Sequence, residues 1–173
     1  GTYSLTAYSV EEEVARDFIT DTKPDVVVHV VDSSNLERNL YLAVQLIELG
    51  APLVLAFNMS DVARARGQVF DIPQLSRLFG APIVETIGHR NKGTAQLLNA
   101  VIDVAKGRTE HDERIHVSYG LEIEEELLKI QRLIESEAPL GGKYDARWLA
   151  VKLLENDVEM RDRVTSPNIT TQV

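Results

Sequence analysis

An asparagine and an aspartate three residues apart, Asn58 and Asp61, close the run "LVLAFNMSD" at residues 53–61. Leu53 to Phe57 reads as a buried apolar strand. Ligands of open α/β sheets bind beyond the C-terminal ends of the strands. A carboxylate placed there accepts two hydrogen bonds from guanine, one from N1–H and one from the exocyclic amine. Adenine offers no such donor pair. The Asn carboxamide steadies the loop and reaches the other edge of the base. The same two residue types also cap helices, because their side chains accept from the free N–H groups of a first turn. The tetrapeptide alone leaves both readings open.

The elements around it decide where such a pair would sit. Ser9 with Glu12 forms a capping-box pattern ahead of a helix from about Val10 to Thr20, with Val14 and Phe18 turned inward. Pro24 ends it. "DVVVHVVD", residues 25–32, is a β-branched run with the character of a strand buried on both faces. Asn35 to Leu49 carries a helical apolar stripe at Leu36, Leu40, Ala43, Val44 and Ile47, stopped by Gly50. Residues 52–57 form the next strand. Short helices come next at Ser60 to Arg66 and Pro73 to Phe79, then a third strand at 81–86. Thr94 to Ala105 reads as a helix with Leu97, Leu98, Val101 and Ile102 facing in. Strands alternating with helices imply right-handed crossovers and a parallel sheet.

Beyond Ala105 the pattern changes. Residues 107–118, "GRTEHDERIHVS", are polar and read as a linker. From Gly120 onward only helices are expected. Leu121 to Ser136 is amphipathic through Ile123, Leu127, Ile130 and Ile134. Tyr144 to Glu155 carries the single Trp, Trp148, beside Leu149, Leu153 and Leu154, and the tail after Arg163 reads as frayed. The expected organisation is 1–107 as an α/β unit, 108–119 as linker, 120–165 as a helical domain and 166–173 as tail.

Composition narrows the functions. The chain has 173 residues, no Cys and a net charge of −9. Thiolate zinc sites, disulfides and cysteine nucleophiles are excluded together. The acidic balance argues against an extended nucleic-acid surface. No apolar run approaches the ~20 residues of a membrane span. The four histidines, His29, His89, His111 and His116, include no i, i+4 pair. His111 and His116 lie among Glu110, Asp112 and Glu113, where a surface iron site is conceivable and a solvated acidic linker is preferred. Glu122, Glu124, Glu125 and Glu126 begin a helix, where negative charge meets the positive end of the dipole. Asp32 and Asn35, at the end of the first strand, read as a strand-end Asp and a helix-capping Asn.

Four long segments resemble one family in the same order. "GTYSLTAYS" at 1–9 is similar to the end of a D-L-P-G-T-Y-S-L segment. "VVDSSNLERNLYL" at 30–42 resembles V-V-D-A-T-N-L-E-R-N-L-Y-L. "FNMSD" at 57–61 carries Met59 where most GTPases have Lys. "ARWLAVKLLEND" at 146–157 resembles R-W-L-A-L-K-L-L-E-G-D. These are signatures of the cytosolic part of ferrous iron transport protein B, FeoB, a G-protein-tethered iron transporter of bacteria and archaea.

The resemblance implies a partial small-GTPase fold, a parallel α/β sheet of the P-loop NTPase type, followed by a small all-helical spacer domain. It implies GTP or GDP as the ligand and a membrane-embedded iron channel as the partner, at the cytoplasmic face of the inner membrane, with this stretch itself soluble. Carried over by residue, Asn58 and Asp61 read the base and Met59 and Ser60 complete that loop. Ile87, Gly88 and His89 form the second base loop, where a backbone N–H meets the guanine carbonyl. Gly88 stands where many GTPases have Ala. Gly1 and Thr2 belong to the phosphate and second-switch region, which extends to about Phe18.

Against this, no G-x-x-x-x-G-K-[ST] occurs in the 173 residues. That loop supplies the backbone cradle, the Lys and the hydroxyl that ligates Mg²⁺. The first switch, the Asp expected three residues before Gly1 and three strands of the sheet are missing as well. GTP hydrolysis is therefore not expected of these residues alone, no catalytic residue is assigned, and Mg²⁺ is expected only together with an N-terminal segment supplied from elsewhere. Without that segment the strand at 25–32 should show a bare edge and uncovered Val side chains. A nucleotide-incompetent fragment that contacts a partner through its helical domain is the competing expectation. Homo-oligomerisation is left open.

Overall fold

A computed structural model describes residues 4–5, 9–108, 117–136 and 144–164. The elements are α1 (Val10–Thr22), β1 (Val27–Asp32), α2 (Leu36–Glu48), β2 (Leu53–Asn58), α3 (Ser60–Ala65), α4 (Ile72–Phe79), β3 (Ile83–Glu85), α5 (Thr94–Ala105), α6 (Leu121–Ser136), α7 (Ala146–Leu154) and α8 (Val158–Arg163). The chain divides into two compact units, Gly1–Ile47 with Ala51–His116, and Glu48–Gly50 with Val117–Val173.

The first unit is built on a parallel sheet in the order β1-β2-β3. β2 is central, and its residues Leu53 to Phe57 are all buried. The register pairs Asp32 with Asn58 and Phe57 with Glu85, which brings the C-terminal ends of the three strands to one level. α1 starts at Ser9, whose Oγ accepts the Glu12 N–H at 3.3 Å, with Glu11, Glu12 and Glu13 in the first turn. Lys23 ends it in the left-handed conformation.

Two expectations about burial are corrected. The run at 25–32, read as buried on both faces, is buried on one face only, and it shows the uncovered Val side chains and bare edge also expected of it. His29 and Val31 point inward, while Val28 and Val30 are 39% and 59% exposed, and the outer edge of β1 pairs with no strand among the described residues. In α1 the stripe Val10, Val14, Phe18 faces solvent, with Val14 62% and Phe18 57% exposed, and Arg16 and Thr20 take the buried positions. Leu98 and Ile102 of α5 are likewise exposed. Helical spacing identifies a stripe; which side a neighbouring layer occupies is settled by packing, and these faces have no layer over them among the described residues.

The second unit holds α6, α7 and α8. Leu127, Ile130 and Ile134 are the buried face of α6, while Ile123, expected with them, is exposed. α6 packs on α7, where Trp148 is fully buried and its ring lies 5.8 Å from that of Tyr144. Asp145 starts α7 by accepting the N–H groups of Arg147 and Trp148. The Arg147 guanidinium places two nitrogens on the two Glu124 oxygens, both at 2.8 Å, and reaches the Val117 carbonyl at 2.7 Å. The hydrogen bonds to Glu124, and then its charge, hold that guanidinium above its ordinary pKa. α8 was not expected from the sequence; its start is set by Asp157, which accepts the Met160 N–H. His111 and His116 lie outside the described residues.

Candidate functional site

The chain leaves β2 through Met59, which takes the left-handed conformation at φ 58, ψ 31. A side chain is uncomfortable in that region, and such strain persists where surrounding contacts demand it. This turn directs Asn58 and Asp61 to the same end of the sheet. Met59 stands partly exposed beside them.

The turn is fixed by the segment after β3. The Thr86 N–H donates to the Phe57 carbonyl at 2.8 Å. The Thr86 carbonyl in turn accepts both the N–H and the hydroxyl of Ser60, at 3.4 and 3.2 Å. Ser60 is buried, so its hydroxyl ties the two loops together from inside. The Asn58 carboxamide oxygen accepts the Gly88 N–H at 2.9 Å and the Thr86 hydroxyl at 3.3 Å. Asn58 therefore braces the second loop and does not cap α3, whose start has no side-chain cap. Thr86 is the residue that sequence reasoning missed; a β-branched hydroxyl at a strand end was the available signal.

Asp61 lies in the first turn of α3. One of its oxygens accepts the Val62 N–H at 3.0 Å, and the other has no hydrogen-bond partner among the described residues. Ile87 is buried and exchanges backbone hydrogen bonds with Lys92 at 3.0 and 3.3 Å, which closes the second loop. His89 is exposed at its tip, where its Nε2 accepts from Arg90 Nε at 3.1 Å. Across the loops Arg64 pairs with Glu85 at 2.7 Å in an exposed position. At the neighbouring strand end, Asp32 accepts the N–H and hydroxyl of Ser34 at 2.9 and 2.7 Å, so the capping role expected of Asn35 falls to Asp32. Asn58, Met59, Ser60, Asp61, Ile87, Gly88 and His89 are thus gathered at one end of the sheet. Gly1 and Thr2 lie outside the described residues.

The groups exposed at this edge are an acceptor and an apolar flank. Asp61 offers a carboxylate oxygen with no donor on it, and Met59 offers an apolar flank. The G-x-x-x-x-G-K-[ST] run that would cradle the phosphates and supply a Mg²⁺ ligand does not occur in the 173 residues.

A parallel sheet with helical crossovers, two loops meeting at its C-terminal edge and a separate helical unit define a partial small-GTPase-like protein of the P-loop class. Its relatives bear this out. The model of ferrous iron transport protein B matches residues 1–101, and that of the FeoB cytosolic helical domain matches residues 119–173. The chain belongs to the ferrous iron transport protein B family.

It is 43% identical over 161 residues to a Fe(2+) transport protein A/Fe(2+) transporter FeoB fusion protein of Porphyromonas gingivalis, covering 92% of this chain and 19% of that protein. It is 36% identical over 165 residues to the Fe(2+) transporter FeoB of Escherichia coli, covering 93% and 20%. The chain thus spans about a fifth of the length of these curated relatives. Among solved structures, mGMPPNP-bound NFeoB from S. thermophilus superposes with a TM-score of 0.87 at 31% identity, over 99% of this chain and 63% of that one. The apo cytosolic domain of the T. maritima FeoB transporter gives 0.84 at 29% identity, over 94% and 62%.

Proposed function

We propose that this chain carries the base-reading half of a guanine-nucleotide switch that regulates ferrous iron uptake by a membrane transporter. The observation that carries the reading is Asn58. Its carboxamide joins the loop after β2 to the loop after β3, and leaves the free carboxylate oxygen of Asp61 at the same edge. In this reading the Asp61 carboxylate accepts N1–H and the exocyclic amine of guanine, the Met59 thioether covers a ring face, and a backbone N–H of residues 87–89 meets the guanine carbonyl. Gly88 shares its N–H with Asn58 in this structure, so its delivery to the base requires a small turn of the loop.

Nucleotide-bound relatives support the ligand class: S. thermophilus NFeoB is named as mGMPPNP-bound and, in a mutant form, as bound to mGDP. The phosphates and Mg²⁺ require a Gly-rich cradle that these residues do not contain, so we assign it to a further polypeptide segment completing the sheet beside β1. Nucleotide occupancy then orders the segment from Gly1 to Tyr8, and the helical domain passes this state to a membrane-embedded iron channel at the cytoplasmic face.

Calorimetry with GDP and ADP tests the base site. GDP should bind in preference to ADP, and Asp61→Asn should cost about 1.5–3 kcal/mol, the worth of a hydrogen bond to a charged group. Equal affinity for the two nucleotides, or no loss in Asp61→Asn, overturns the assignment. The absence of a phosphate-loop motif favours a second reading, a nucleotide-free fragment acting through its helical unit. No GDP binding at millimolar concentration selects that reading.

A further inference from the structure

Gln45 stands in a buried stretch of α2 beside Leu42, Ala43 and Leu46. Its side-chain oxygen accepts the N–H of Leu5, 40 residues earlier, at 2.5 Å. Leu5 is itself buried, and the hydroxyl of its neighbour Ser4 donates to Glu12 of α1 at 2.7 Å. Two consecutive residues outside any helix or strand are thus held on two different helices. A buried backbone N–H needs an acceptor, and a polar side chain on an apolar helix face is costly unless it is matched. Each group answers the requirement of the other.

We propose that Gln45 is a positioning residue that clamps the segment before α1 to α2 and so hands the nucleotide state of that segment to α2. The proposal rests on the reading of Gly1 to Tyr8 as the nucleotide-responsive stretch. The Gln45 bond fixes the chain at Leu5 on α2, and the Ser4 hydroxyl fixes it on α1.

Amide exchange on the whole 173-residue chain tests it, comparing the wild type with Gln45→Leu, which removes the acceptor, and Gln45→Glu, which keeps an oxygen there. Leu5 should exchange about three- to tenfold faster in Gln45→Leu, the net worth of one hydrogen bond, and at the wild-type rate in Gln45→Glu. Leu55 and Phe57 in β2 should be unchanged in both. Unaltered Leu5 exchange in Gln45→Leu overturns the clamp, and so does equal acceleration of Leu5 and β2, which means general loosening. Saturating GDP should slow exchange at Leu46 and Leu49 in the wild type and not in Gln45→Leu; the same slowing in both overturns the hand-over. If GDP alters nothing while Gln45→Leu still frees Leu5, the clamp stands and the nucleotide reading of the segment fails.

Discussion

The Gly88 N–H rests on the Asn58 carboxamide oxygen at 2.9 Å, so the residue assigned to the base also sets the position of the second base loop. The Thr86 hydroxyl shares that oxygen. Removing it strands two donors at once. Asn58→Ala is expected to destabilise the first unit by about 1–3 kcal/mol, the cost of leaving polar groups unmatched. Asn58→Asp, which keeps an acceptor, should lose less. Urea denaturation followed by far-UV circular dichroism compares the two, and equal losses would show that the oxygen is not what matters.

The helical unit turns on the fork between Arg147 and Glu124. Both side chains are largely sheltered, and the guanidinium also serves the Val117 carbonyl. Arg147→Ala leaves a sheltered carboxylate without its partner and should cost about 3 kcal/mol. Arg147→Lys cannot make two parallel bonds and should recover only part of this. Trp148, the only Trp in the chain, is buried in this unit, so its fluorescence during urea denaturation reports the loss.

His29 gives the first unit an acid limit. It is 8% exposed, and its Nδ1 has no hydrogen-bond partner among the described residues. Burial lowers its pKa from 6.5 to about 4. The folded state therefore holds His29 neutral where the unfolded chain takes up a proton. Its contribution is fully present above pH 6.5 and is lost as pH falls towards 4, amounting to at most about 3 kcal/mol. The urea midpoint of the first unit should drop across that window. His29→Gln should flatten the slope; an equal slope in the variant would assign it to other groups.

The exposed face of β1 carries a different expectation. Val28 and Val30 lie two apart on one face of a strand whose outer edge pairs with no strand among the described residues. Apolar edge strands invite pairing between chains. Val28→Thr with Val30→Thr keeps the β-branched shape and should reduce self-association in light scattering, with little change in stability. Undiminished association would place the contact elsewhere.

Much of this architecture was legible in the chain because local signals agreed with one another. α5 and α6 have the bounds that Thr94 to Ala105 and Leu121 to Ser136 announced, helped by Gly93 and Gly120 before them. The parallel sheet was implied by strands and helices alternating. The facing of α1 was not, because Val14 and Phe18 mark a stripe without saying what lies opposite. α8 escaped notice because it is short, and only Asp157 announces it. The gathering of residues 58–61 with 87–89 was anticipated through the resemblance. The bonds that hold them, from Ser60 and Asn58 to Thr86 and Gly88, join residues 26 to 30 positions apart, which no local pattern encodes.

Two glycines around the second loop should respond oppositely to alanine. At Gly93, φ is +80, and an added Cβ would stand 2.2 Å from the Glu85 carbonyl oxygen. That oxygen belongs to the backbone of β3 and cannot swing aside. Strain and overlap together should cost about 2–4 kcal/mol in Gly93→Ala. At Gly88 the nearest atom to an added Cβ is Asn58 Oδ1, at an ordinary contact distance of 3.5 Å. Gly88→Ala restricts the unfolded chain without clashing in the folded one, so it should be neutral or stabilising by up to about 1 kcal/mol. The same stiffening should hold the second base loop in one shape and slow GDP release if residues 87–89 contact the base. Urea midpoints compare the two substitutions directly, and stopped-flow displacement of a fluorescent GDP analogue measures release. A Gly88→Ala protein as stable as the wild type but with unchanged release would separate this loop from nucleotide binding.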